Sequence, residues 1–338
     1  MTIKDVAQHC GVSVSTVSRV LNKHPDVSER VRSKVMRAVE ELHYVPNSSA
    51  RDLVCAASDA VGLVVRGVGN PFFLDVFHAV ESTIAEAGYT MFVQNIHPGE
   101  DELRAGAQLV RSKKLRGLIL LGGCFDYNAD DVALLDVPFV CCSYTNSFGN
   151  LDEKAYSSVT IDDRAEAHRA VHYLVKNGHR RIAVLLESTD DRSISELRYM
   201  GYRQALEENG IAFDEALVLQ TRGYGMDAAY DAVCEALKKE LSFSALFCIS
   251  DSMAVAAMKA LHDAGRSVPK DCSVIAIDGI EMSAYSIPTL TTLSQPKHEM
   301  GEMSVRLLLD MIEGHTANRH VVLETEPRRG GSVCRICD

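Results

Sequence analysis

TIKDVAQHCGVSVSTVSRVLN, residues 2–22, is the stretch that decides the fold class of the N-terminal region. Apolar residues at helical spacing predict a short helix over Ile3–His9 and a second helix over Val14–Asn22. Gly11 suits the left-handed conformation of a tight turn between the two helices, and Ser13 is a suitable N-cap for the second. Two short helices joined by a glycine-containing turn are typical of the helix-turn-helix motif.

The second of these helices presents small and hydrogen-bonding residues on its outer face, which fits the major groove of DNA. Val14 and Ser15 lie at its N-terminal end, where they would meet base edges, and Arg19 would bond guanine through two nitrogens. The other polar side chains of this region would bond phosphates and fix the register. The candidate DNA contacts here are Thr2, Val14, Ser15, Thr16, Ser18, Arg19 and Asn22.

A third helix is predicted from about Ser28, with Glu29 in its first turn. Its predicted buried stripe is Val31, Val35, Met36, Val39 and Leu42. Taken as a pattern alone, the three helices also fit a small helical cap whose polar face is merely solvated.

The run Thr2–Ala7, together with Gly11–Ser13 and Thr16–Asn22, resembles the opening of the lactose/galactose repressor (LacI/GalR) family of bacterial transcription regulators. The match is nearly unbroken over this stretch, and it favours the DNA-binding interpretation over the helical cap. The resemblance implies that the positions of Val14, Ser15 and Arg19 read bases.

Residues 47–58 resemble the hinge helix of that family, which orders when two copies pair on DNA. Pro46 is expected to stop the third helix. In the family pattern the position of Leu53 wedges into the minor groove and bends the duplex, and Ala50 lies close to the backbone. Asp52 departs from the pattern, because a carboxylate near phosphates is repulsive. The alternative is a plain flexible linker.

Net charge separates the N-terminal region from the rest of the chain. Residues 1–58 hold eight Lys/Arg against six Asp/Glu, so they carry +2, whereas the 338-residue chain carries −11. An acidic body cannot hold a polyanion by bulk charge, so any nucleic-acid contact must be local to the N-terminal region.

Composition excludes several classes of protein. Hydrophobic residues make up 46% and charged residues 24% of the chain, which is typical of a folded domain and not of a disordered one. No apolar run reaches the roughly 18–20 residues of a membrane span, and the first residues lack the pattern of a signal peptide. We therefore expect a cytoplasmic protein with no membrane partner, whose ten cysteines are reduced.

Short apolar runs alternate with amphipathic stretches in the remainder, which predicts parallel α/β sheets covered on both faces. The predicted strands are Ala60–Val65, Thr90–Gln94, Gly117–Leu121, Phe139–Ser143, Ile182–Leu186, Leu217–Gln220, Ala245–Ser250 and Ser273–Ile277. The predicted helices include Phe73–Ala87, Glu100–Ser112, Arg164–Asn177, Ser195–Asn209, Met226–Lys239 and Ser252–Ala264. This length favours two sheets over one, with a ligand cleft between them.

The body resembles the same family through segments that occur in the family's order, and periplasmic sugar-binding proteins share them. The segments include Asn70–Phe73, Gly178–Ile182, Arg198–Tyr202, Ser250–Ala254, Ile277–Gly279 and Thr291–Pro296. The expected fold is an N-terminal all-α helix-turn-helix domain plus an α/β periplasmic-binding-protein-like body of two parallel-sheet subdomains. The expected boundaries are 1–46 for the first domain, 47–58 for the hinge, 59–330 for the interleaved subdomains and 331–338 for an unstructured tail.

Candidate effector contacts lie at strand ends and helix starts. They are Phe72, Phe73, Ser143, Tyr144, Arg192, Arg198, Tyr224, Ser250, Asp251, Asp278 and Gln295. Arg198 and Asp278 suit clusters of sugar hydroxyls, whereas Phe72, Phe73 and Tyr224 would stack on a sugar or a base.

Several of these candidates have a structural alternative. The two phenylalanines would be core aromatics, Arg198 a surface ion pair, Asp251 a helix cap and Asp278 a turn former. Arg66, at the end of the first strand, would favour an acidic effector if it faces inward and would be a solvated charge if it faces outward.

No catalytic or metal site is predicted, and no cofactor. Cys334 and Cys337 lack a second pair at zinc spacing. His168 and His172 lie one helical turn apart with no neighbouring carboxylate in the sequence, and Asp162-Asp163 lacks an acid/base partner.

The combined expectation is a transcriptional repressor, not an enzyme, that binds a pseudo-palindromic operator in double-stranded DNA as a homodimer. Its DNA affinity would be controlled by a small-molecule effector, a sugar or sugar derivative, in the cleft between the subdomains. The alternatives are a nucleobase-responsive regulator and a solute-binding protein with a helical cap.

Overall fold

The computed structural model describes residues 2–21, 26–42, 59–67, 69–97, 99–221, 223 and 225–336. These residues form two compact units, Met1–Ser58 and Asp59–Asp338. The predicted contacts Asn22, Ala50, Leu53 and Tyr224, together with Asp52 and Cys337, lie outside the described residues.

The first unit contains three helices, α1 (Ile3–Cys10), α2 (Val14–Leu21) and α3 (Glu29–Glu41). Gly11 follows α1 with φ +56°, the left-handed conformation that its sequence position predicts. The hydroxyl of Ser13 accepts a hydrogen bond from the backbone N–H of Thr16, as an N-cap residue does. The predicted helix-turn-helix is therefore confirmed.

One small core holds the three helices together. Its fully buried members are Val6, Ala7, Cys10, Val17, Val20, Val35 and Ala38. Met36 was predicted to be buried, but it is 43% exposed, because Ala38 takes the inward position on that turn of α3.

The second unit alternates strands and helices. Its strands are β1 (Ala60–Arg66), β2 (Thr90–Ile96), β3 (Gly117–Leu121), β4 (Phe139–Cys142), β5 (Ser157–Thr160), β6 (Ile182–Leu186), β7 (Val218–Gln220), β8 (Ala245–Cys248), β9 (Ser273–Asp278), β10 (Thr291–Ser294), β11 (His320–Val322) and β12 (Glu326–Arg328). Its α-helices are α4 (Pro71–Glu86), α5 (Glu102–Lys113), α6 (Ala129–Val132), α7 (Asp163–Lys176), α8 (Ile194–Glu208), α9 (Met226–Lys238), α10 (Asp251–Asp263), α11 (Glu281–Tyr285) and α12 (Lys297–Ile312).

Two six-stranded sheets organise this unit, as the sequence predicted. The order in the first sheet is β11-β5-β4-β3-β1-β2, and in the second it is β12-β10-β9-β8-β6-β7. Paired neighbours run parallel, apart from β12, which is antiparallel to β10. We call the first sheet with its packed helices the first lobe and the second sheet with its helices the second lobe.

The chain passes between the lobes more than once. β5 is the last strand of the first sheet before the chain enters the second lobe, and α12 returns it to pack against α4 and the first sheet. β11 then joins the first sheet and β12 the second. Because parallel strands place their carboxyl ends at one edge, the loops after these strands carry the side chains of the candidate effector site.

The expectation of an unstructured tail at 331–338 is wrong for residues 331–336. Ser332 is fully buried, and its hydroxyl donates to the carbonyl of Val274 and accepts from the N–H of Thr291. The carbonyl of Cys334 contacts the imidazole Nε2 of His179 at 3.1 Å. These hydrogen bonds fasten the C-terminal segment to the second lobe.

No helix in the described part of the chain is long and apolar enough to cross a membrane.

Candidate DNA-binding surface and effector site

Helix α2 exposes the face that the sequence predicted to meet DNA. Val14 is 40% exposed, and Ser15 and Arg19 are exposed, whereas Val17 and Val20 are buried against the other helices. The Arg19 guanidinium lies 3.6 Å from the carboxylate of Asp26. An exposed pair of this kind is weak, so a phosphate or base edge can replace Asp26 at low energetic cost.

Hydroxyl groups crowd the N-terminal end of the same helix. The Ser13 hydroxyl lies 2.8 Å from the hydroxyls of both Ser15 and Thr16, and Ser18 is partly exposed one turn further on. Thr2 begins α1 in a capping box with Asp5, with its N–H 2.7 Å from the carboxylate. The arrangement offers hydroxyl and backbone donors beside a cationic side chain, which is the donor set that phosphate contacts use.

A buried ionic network lies at the carboxyl edge of the second sheet. Arg198 in α8 donates to Asp163 at 2.9 and 3.0 Å and to the carbonyl of Ile249, and it lies 3.5 Å from Asp278. The Arg198 side chain is only 4% exposed. The alternative of a surface ion pair is therefore wrong, because this pair is buried.

Asp278 sits in a strained turn at the end of β9. Its φ is +139°, a conformation that side chains rarely adopt, and Gly279 follows with φ +69°. The amide of Gln295 donates to the Asp278 carboxylate at 2.9 Å, and the backbone N–H of Gln295 donates to the Asp278 carbonyl. Such backbone strain persists only where surrounding bonds over-determine it, and this turn has those bonds.

Asp251 supports that turn by accepting a hydrogen bond from it, and it does not cap helix α10. The cap of α10 is Ser250, whose hydroxyl accepts from the N–H of Met253. Asp251 is fully buried and accepts from the N–H of Ile280 at 2.9 Å and from the hydroxyl of Thr292 at 2.6 Å. Helix capping by Asp251, the structural alternative for that residue, is therefore wrong, and Ser250 stays a predicted effector contact.

Burial dominates the electrostatics of these carboxylates. Desolvation raises the pKa of Asp163 to about 6, although the neighbouring Arg198 opposes the shift. Desolvation and the nearby Asp278 raise the pKa of Asp251 to about 7. Burial likewise raises the pKa of Asp278. A donor arriving at this edge, such as a hydroxyl, would therefore meet acceptors whose charge is incompletely compensated.

The carboxyl edge of the first sheet is built around a single buried carboxylate. Glu102, at the start of α5, is 1% exposed and accepts from the N–H of Cys124 at 2.6 Å and from the hydroxyl of Tyr127. The Arg66 guanidinium lies 3.1 Å from the Glu102 carboxylate and is 21% exposed. Arg66 is therefore not a solvated charge. It also does not face inward as a cation available to an acidic effector, because Glu102 already pairs with it.

Aromatic side chains complete the first edge. Tyr144 is fully buried, and its hydroxyl lies 3.0 Å from that of Tyr127. Phe72 is 4% exposed and belongs to the hydrophobic core, which favours the structural alternative for that residue. Phe73 is partly buried, and its ring edge lies close to Gly122, where a Cβ would come within 2.9 Å of it.

Side chains from the second lobe reach the first. Ile194 and Leu197 of α8 pack against the apolar cluster that contains Tyr127 and Tyr144. The Arg192 guanidinium lies 3.6 Å from Asp126, with 63% of the Arg192 side chain exposed. Ser143, with φ +70°, is partly exposed after β4. The two carboxyl edges thus meet at these residues, with Arg192 and Asp126 forming an exposed pair between them.

Three residues of these edges were missed by sequence reasoning. Asp163, Glu102 and Lys297 are all buried charges in the first turn of a helix. A carboxylate there is ordinary by sequence, because it suits the helix dipole, so Asp163 and Glu102 gave no distinctive signal. Lys297 did give one, since a cation in the first turn opposes the dipole.

The described His, Cys, Asp and Glu side chains also bear on metal binding. No group of three or more His, Cys, Asp or Glu side chains is placed to hold a metal ion among the residues that the structure describes. His168 does have a carboxylate neighbour, contrary to expectation, with Glu208 of α8 at 2.7 Å, but these side chains form a surface pair.

An exposed helix-turn-helix surface and a two-lobed α/β unit with a polar cleft together define a ligand-responsive DNA-binding regulator. Two family matches agree with this class. Residues 2–47 match bacterial regulatory proteins of the lacI family, and residues 171–333 match a periplasmic binding protein-like domain.

Relatives match over nearly the whole chain. The HTH-type transcriptional regulator MalR of Clostridium butyricum is 40% identical over 96% of this chain and 97% of its own length. The HTH-type transcriptional repressor PurR of Aliivibrio fischeri (strain MJ11) is 34% identical over 96% of each. The chain therefore belongs to the LacI family of bacterial transcription regulators.

Solved structures show the same fold. The transcriptional regulator CelR in complex with cellobiose has a TM-score of 0.71 and 31% identity, covering 98% of this chain and 99% of that one. The lac repressor dimer bound to operator and the anti-inducer ONPF has a TM-score of 0.81 and 25% identity, covering 99% of each chain. The fold class predicted from sequence is confirmed.

Proposed function

We propose that this regulator is a repressor that binds a pseudo-palindromic operator as a homodimer. A neutral carbohydrate that enters the cleft between the lobes lowers or raises its affinity for the operator. The observation that carries the proposal is the pairing of charges at both edges. Arg66 is neutralised by Glu102, and Arg198 is neutralised by Asp163 and Asp278. Paired guanidinium and carboxylate groups suit the vicinal hydroxyls of an uncharged sugar, which both donate and accept.

An acidic effector is disfavoured by the same pairing, since Arg66 and Arg198 each already face a carboxylate. A neutral sugar also agrees with the CelR structure, whose ligand is cellobiose. The contacts proposed for it are Arg192, Arg198, Asp278 and Gln295 as direct partners, with Phe73, Ser143, Tyr224 and Ser250 at the walls. Phe72, Tyr144 and Asp251 have supporting roles in this proposal, since Phe72 belongs to the core, Tyr144 contacts Tyr127 and Asp251 holds the turn at Ile280.

A nucleobase is the second candidate for the effector. Phe73 is partly exposed, and one side of the cleft carries several aromatic rings on which a base would stack. Relatives named PurR match this chain over most of its length. A sugar is favoured over a base because hydroxyl-binding groups outnumber the exposed aromatic faces among the described residues of the two edges.

DNA binding in this proposal uses two copies of the chain. One α2 helix covers only a few base pairs, so specificity requires a second copy, and two-fold protein symmetry calls for two-fold DNA. The proposed dimer surface includes 73–84, 252–264 and 282–285, of which Tyr285 is 77% and Met282 46% exposed. In this proposal Val14, Ser15 and Arg19 read bases. The phosphate contacts are Thr2, Thr16, Ser18 and Asn22. Leu53 enters the minor groove at the operator centre, and Ala50 lies close to the sugar-phosphate backbone. This regulator acts in the cytoplasm and catalyses no reaction.

The test selects genomic fragments on the full-length protein at low ionic strength and then compares Arg19→Ala with wild type. We expect Arg19→Ala to lose about 1–3 kcal/mol of preference for the selected fragment over a scrambled one in each half-site, while weak salt-dependent binding persists. Arg306→Ala removes the same charge from an exposed position on the body and should leave the preference unchanged. Full preference in Arg19→Ala would show that α2 is not the reading helix.

The effector is sought by thermal shift and by its effect on the selected fragment, with cellobiose, maltose, ribose, glucuronate and hypoxanthine. A neutral sugar that stabilises the protein and changes fragment affinity supports the proposal, since a ligand at 100 times its Kd stabilises by about 2.7 kcal/mol. A response to hypoxanthine alone would identify the effector as a nucleobase. A response to glucuronate alone would identify it as an acidic sugar. Either result would overturn the proposal of a neutral carbohydrate.

A further inference from the structure

Lys297 occupies an unusual position for a lysine. It is the first residue of α12, where the chain leaves the second lobe after β10 and enters the first lobe. Only 8% of its side chain is exposed. Its ammonium Nζ donates to the carbonyl of Gly279 at 2.6 Å and to that of Asp278 at 3.3 Å. These carbonyls belong to the strained turn that presents the Asp278 carboxylate.

The same ammonium reaches the first lobe. Its Nζ lies 3.7 Å from the carboxylate of Asp75, on the second turn of α4. Lys297 therefore contacts the effector-site turn of one lobe and a helix of the other through a single charged atom. Among the described residues no hydrogen bond joins Asp75 to the turn, and Lys297 is the side chain that contacts both.

Placing a lysine here is unfavourable on two counts. Burial removes the ammonium from water and lowers the pKa of Lys297. The N-terminal end of a helix also repels a cation. The two carbonyls and Asp75 offset this penalty and hold the side chain in place, whereas Arg328, which also donates to the Gly279 carbonyl at 3.2 Å, adds to it. If the carbonyls of residues 278 and 279 are displaced, Lys297 is therefore displaced with them.

Helix α12 is closely packed on α4. Gly301 makes this approach possible, because a Cβ at that position would lie 2.7 Å from the Cβ of Ala79 and 2.8 Å from the carbonyl of Val76. Packed interiors are not continuously deformable, and a shift at the start of α12 is passed to α4. Helix α4 begins beside Phe72 and Phe73 and carries the first-lobe part of the proposed dimer surface.

We propose that Lys297 is a positioning residue that couples the turn at residues 278–280, in the second lobe, to helix α4 of the first lobe. The inference rests on the proposed effector site, because the turn presents Asp278 to the ligand. When a ligand hydroxyl draws on Asp278, the carbonyls of residues 278 and 279 shift, Lys297 follows them, and the start of α12 shifts with it. The signal reaches α4 through Asp75 and through the α12–α4 packing.

Amide hydrogen exchange of the ligand-free, full-length protein tests this link without knowledge of the effector. Lys297→Met removes both bonds of the ammonium, and we expect exchange at residues 278–280 to rise roughly 10- to 100-fold, as the loss of charged hydrogen bonds predicts. Lys297→Arg keeps the charge and should restore most of the protection.

Asp75→Asn is the decisive variant, because Asp75 lies on the other lobe. It should raise exchange at residues 278–280 by about two- to fivefold, the scale of a partly exposed ion pair. That change should vanish in a Lys297→Met background. Glu81→Gln removes the same charge from an exposed position on α4, where Glu81 lies near His78, and should leave the turn unchanged.

An Asp75→Asn effect at the turn that depends on Lys297 supports the coupling. If Asp75→Asn leaves residues 278–280 unchanged, or changes them equally with and without Lys297, the coupling is wrong. The coupling is also wrong if Lys297→Met changes amide exchange only in the first turn of α12 and not at residues 278–280. None of these outcomes depends on a sugar binding, so failure of the coupling is distinct from failure of the proposed carbohydrate effector.

Discussion

The carboxyl edges of the two sheets follow the same architecture and carry different chemistry. The second edge has three buried carboxylates: Asp163 and Asp278 lie at the guanidinium of Arg198, and Asp251 supports the adjacent turn through the N–H of Ile280. The first edge has one buried carboxylate, Glu102, within a group of tyrosine hydroxyls and a partly exposed arginine. One edge is an ionic network fixed in place, and the other is a mostly aromatic wall with a single charge pair.

This difference indicates a division of labour between the lobes. A buried ionic network gains little stability over an apolar core, because desolvation offsets the attraction, but it fixes the direction of every donor and acceptor. An aromatic wall makes a broad contact with little directional preference. In the proposed effector site, the second lobe would therefore select which ligand hydroxyls are recognised, and the first lobe would contact the face of the ligand.

The largest effect that separates the two edges is expected from Arg198→Met. Removing this guanidinium leaves Asp163 and Asp278 buried without their cation, and breaking such a pair destabilises by about 3–5 kcal/mol. Denaturant unfolding of the full-length protein, followed by a probe in the second unit, measures the loss.

Arg66→Met is the matched substitution at the first edge. Its loss should be smaller, because the Arg66 side chain is 21% exposed and Glu102 keeps the N–H of Cys124 and the hydroxyl of Tyr127 as donors. Equal losses for the two variants would remove the contrast between the edges.

A smaller effect is expected from pH acting on Asp251. Its folded pKa of about 7 lies above the unfolded value of 3.8, so the folded state binds more protons between these two values. Stability attributable to Asp251 is therefore present at low pH and is lost as pH rises through that window. The wild-type advantage over Asp251→Asn should fall by on the order of 2 kcal/mol between pH 5 and pH 7.

Thermal or denaturant unfolding of the two proteins at matched pH values measures this change. The exposed substitution Asp231→Asn serves as the charge control and should show no such trend. A wild-type advantage that is constant, or that grows with pH, would mean that Asp251 is ionised throughout and that Ile280 and Thr292 outweigh its burial.

Local patterns explain how much of the fold was predictable. The helix-turn-helix follows from spacing within twenty residues, and strands such as Gly117–Leu121 and Ile182–Leu186 matched their predicted bounds because each is a short apolar run. β5 (Ser157–Thr160) and β10 (Thr291–Ser294) were not predicted as strands, since hydroxyl residues dominate them. Their burial comes from neighbouring strands that are distant in sequence, so single-sequence periodicity could not show it.

The candidate site was predictable by position and less so by role. Arg198, Asp278 and Gln295 were selected for their places at strand and helix ends, and the structure brings all three within one hydrogen-bonded network. The sequence could not show that Asp163 is the main partner of Arg198, because the two are 35 positions apart. The sequence also could not show that Ser250 and not Asp251 caps the helix, since adjacent polar residues at a helix start look alike until the fold selects which one turns inward.

The smallest effect is expected where the two edges meet, at Arg192 and Asp126. This pair is exposed on both sides and its atoms are 3.6 Å apart, so Arg192→Ala should change the free energy of unfolding by no more than about 1 kcal/mol. Ile194 and Leu197 pack across the same boundary through apolar contacts, which salt does not screen. Asp126→Asn should reproduce the small loss, and raising the salt concentration should abolish both losses. A loss above about 2 kcal/mol in either variant would place this pair within the buried network and would mean that the cleft rim, and not the second edge alone, orients the ligand.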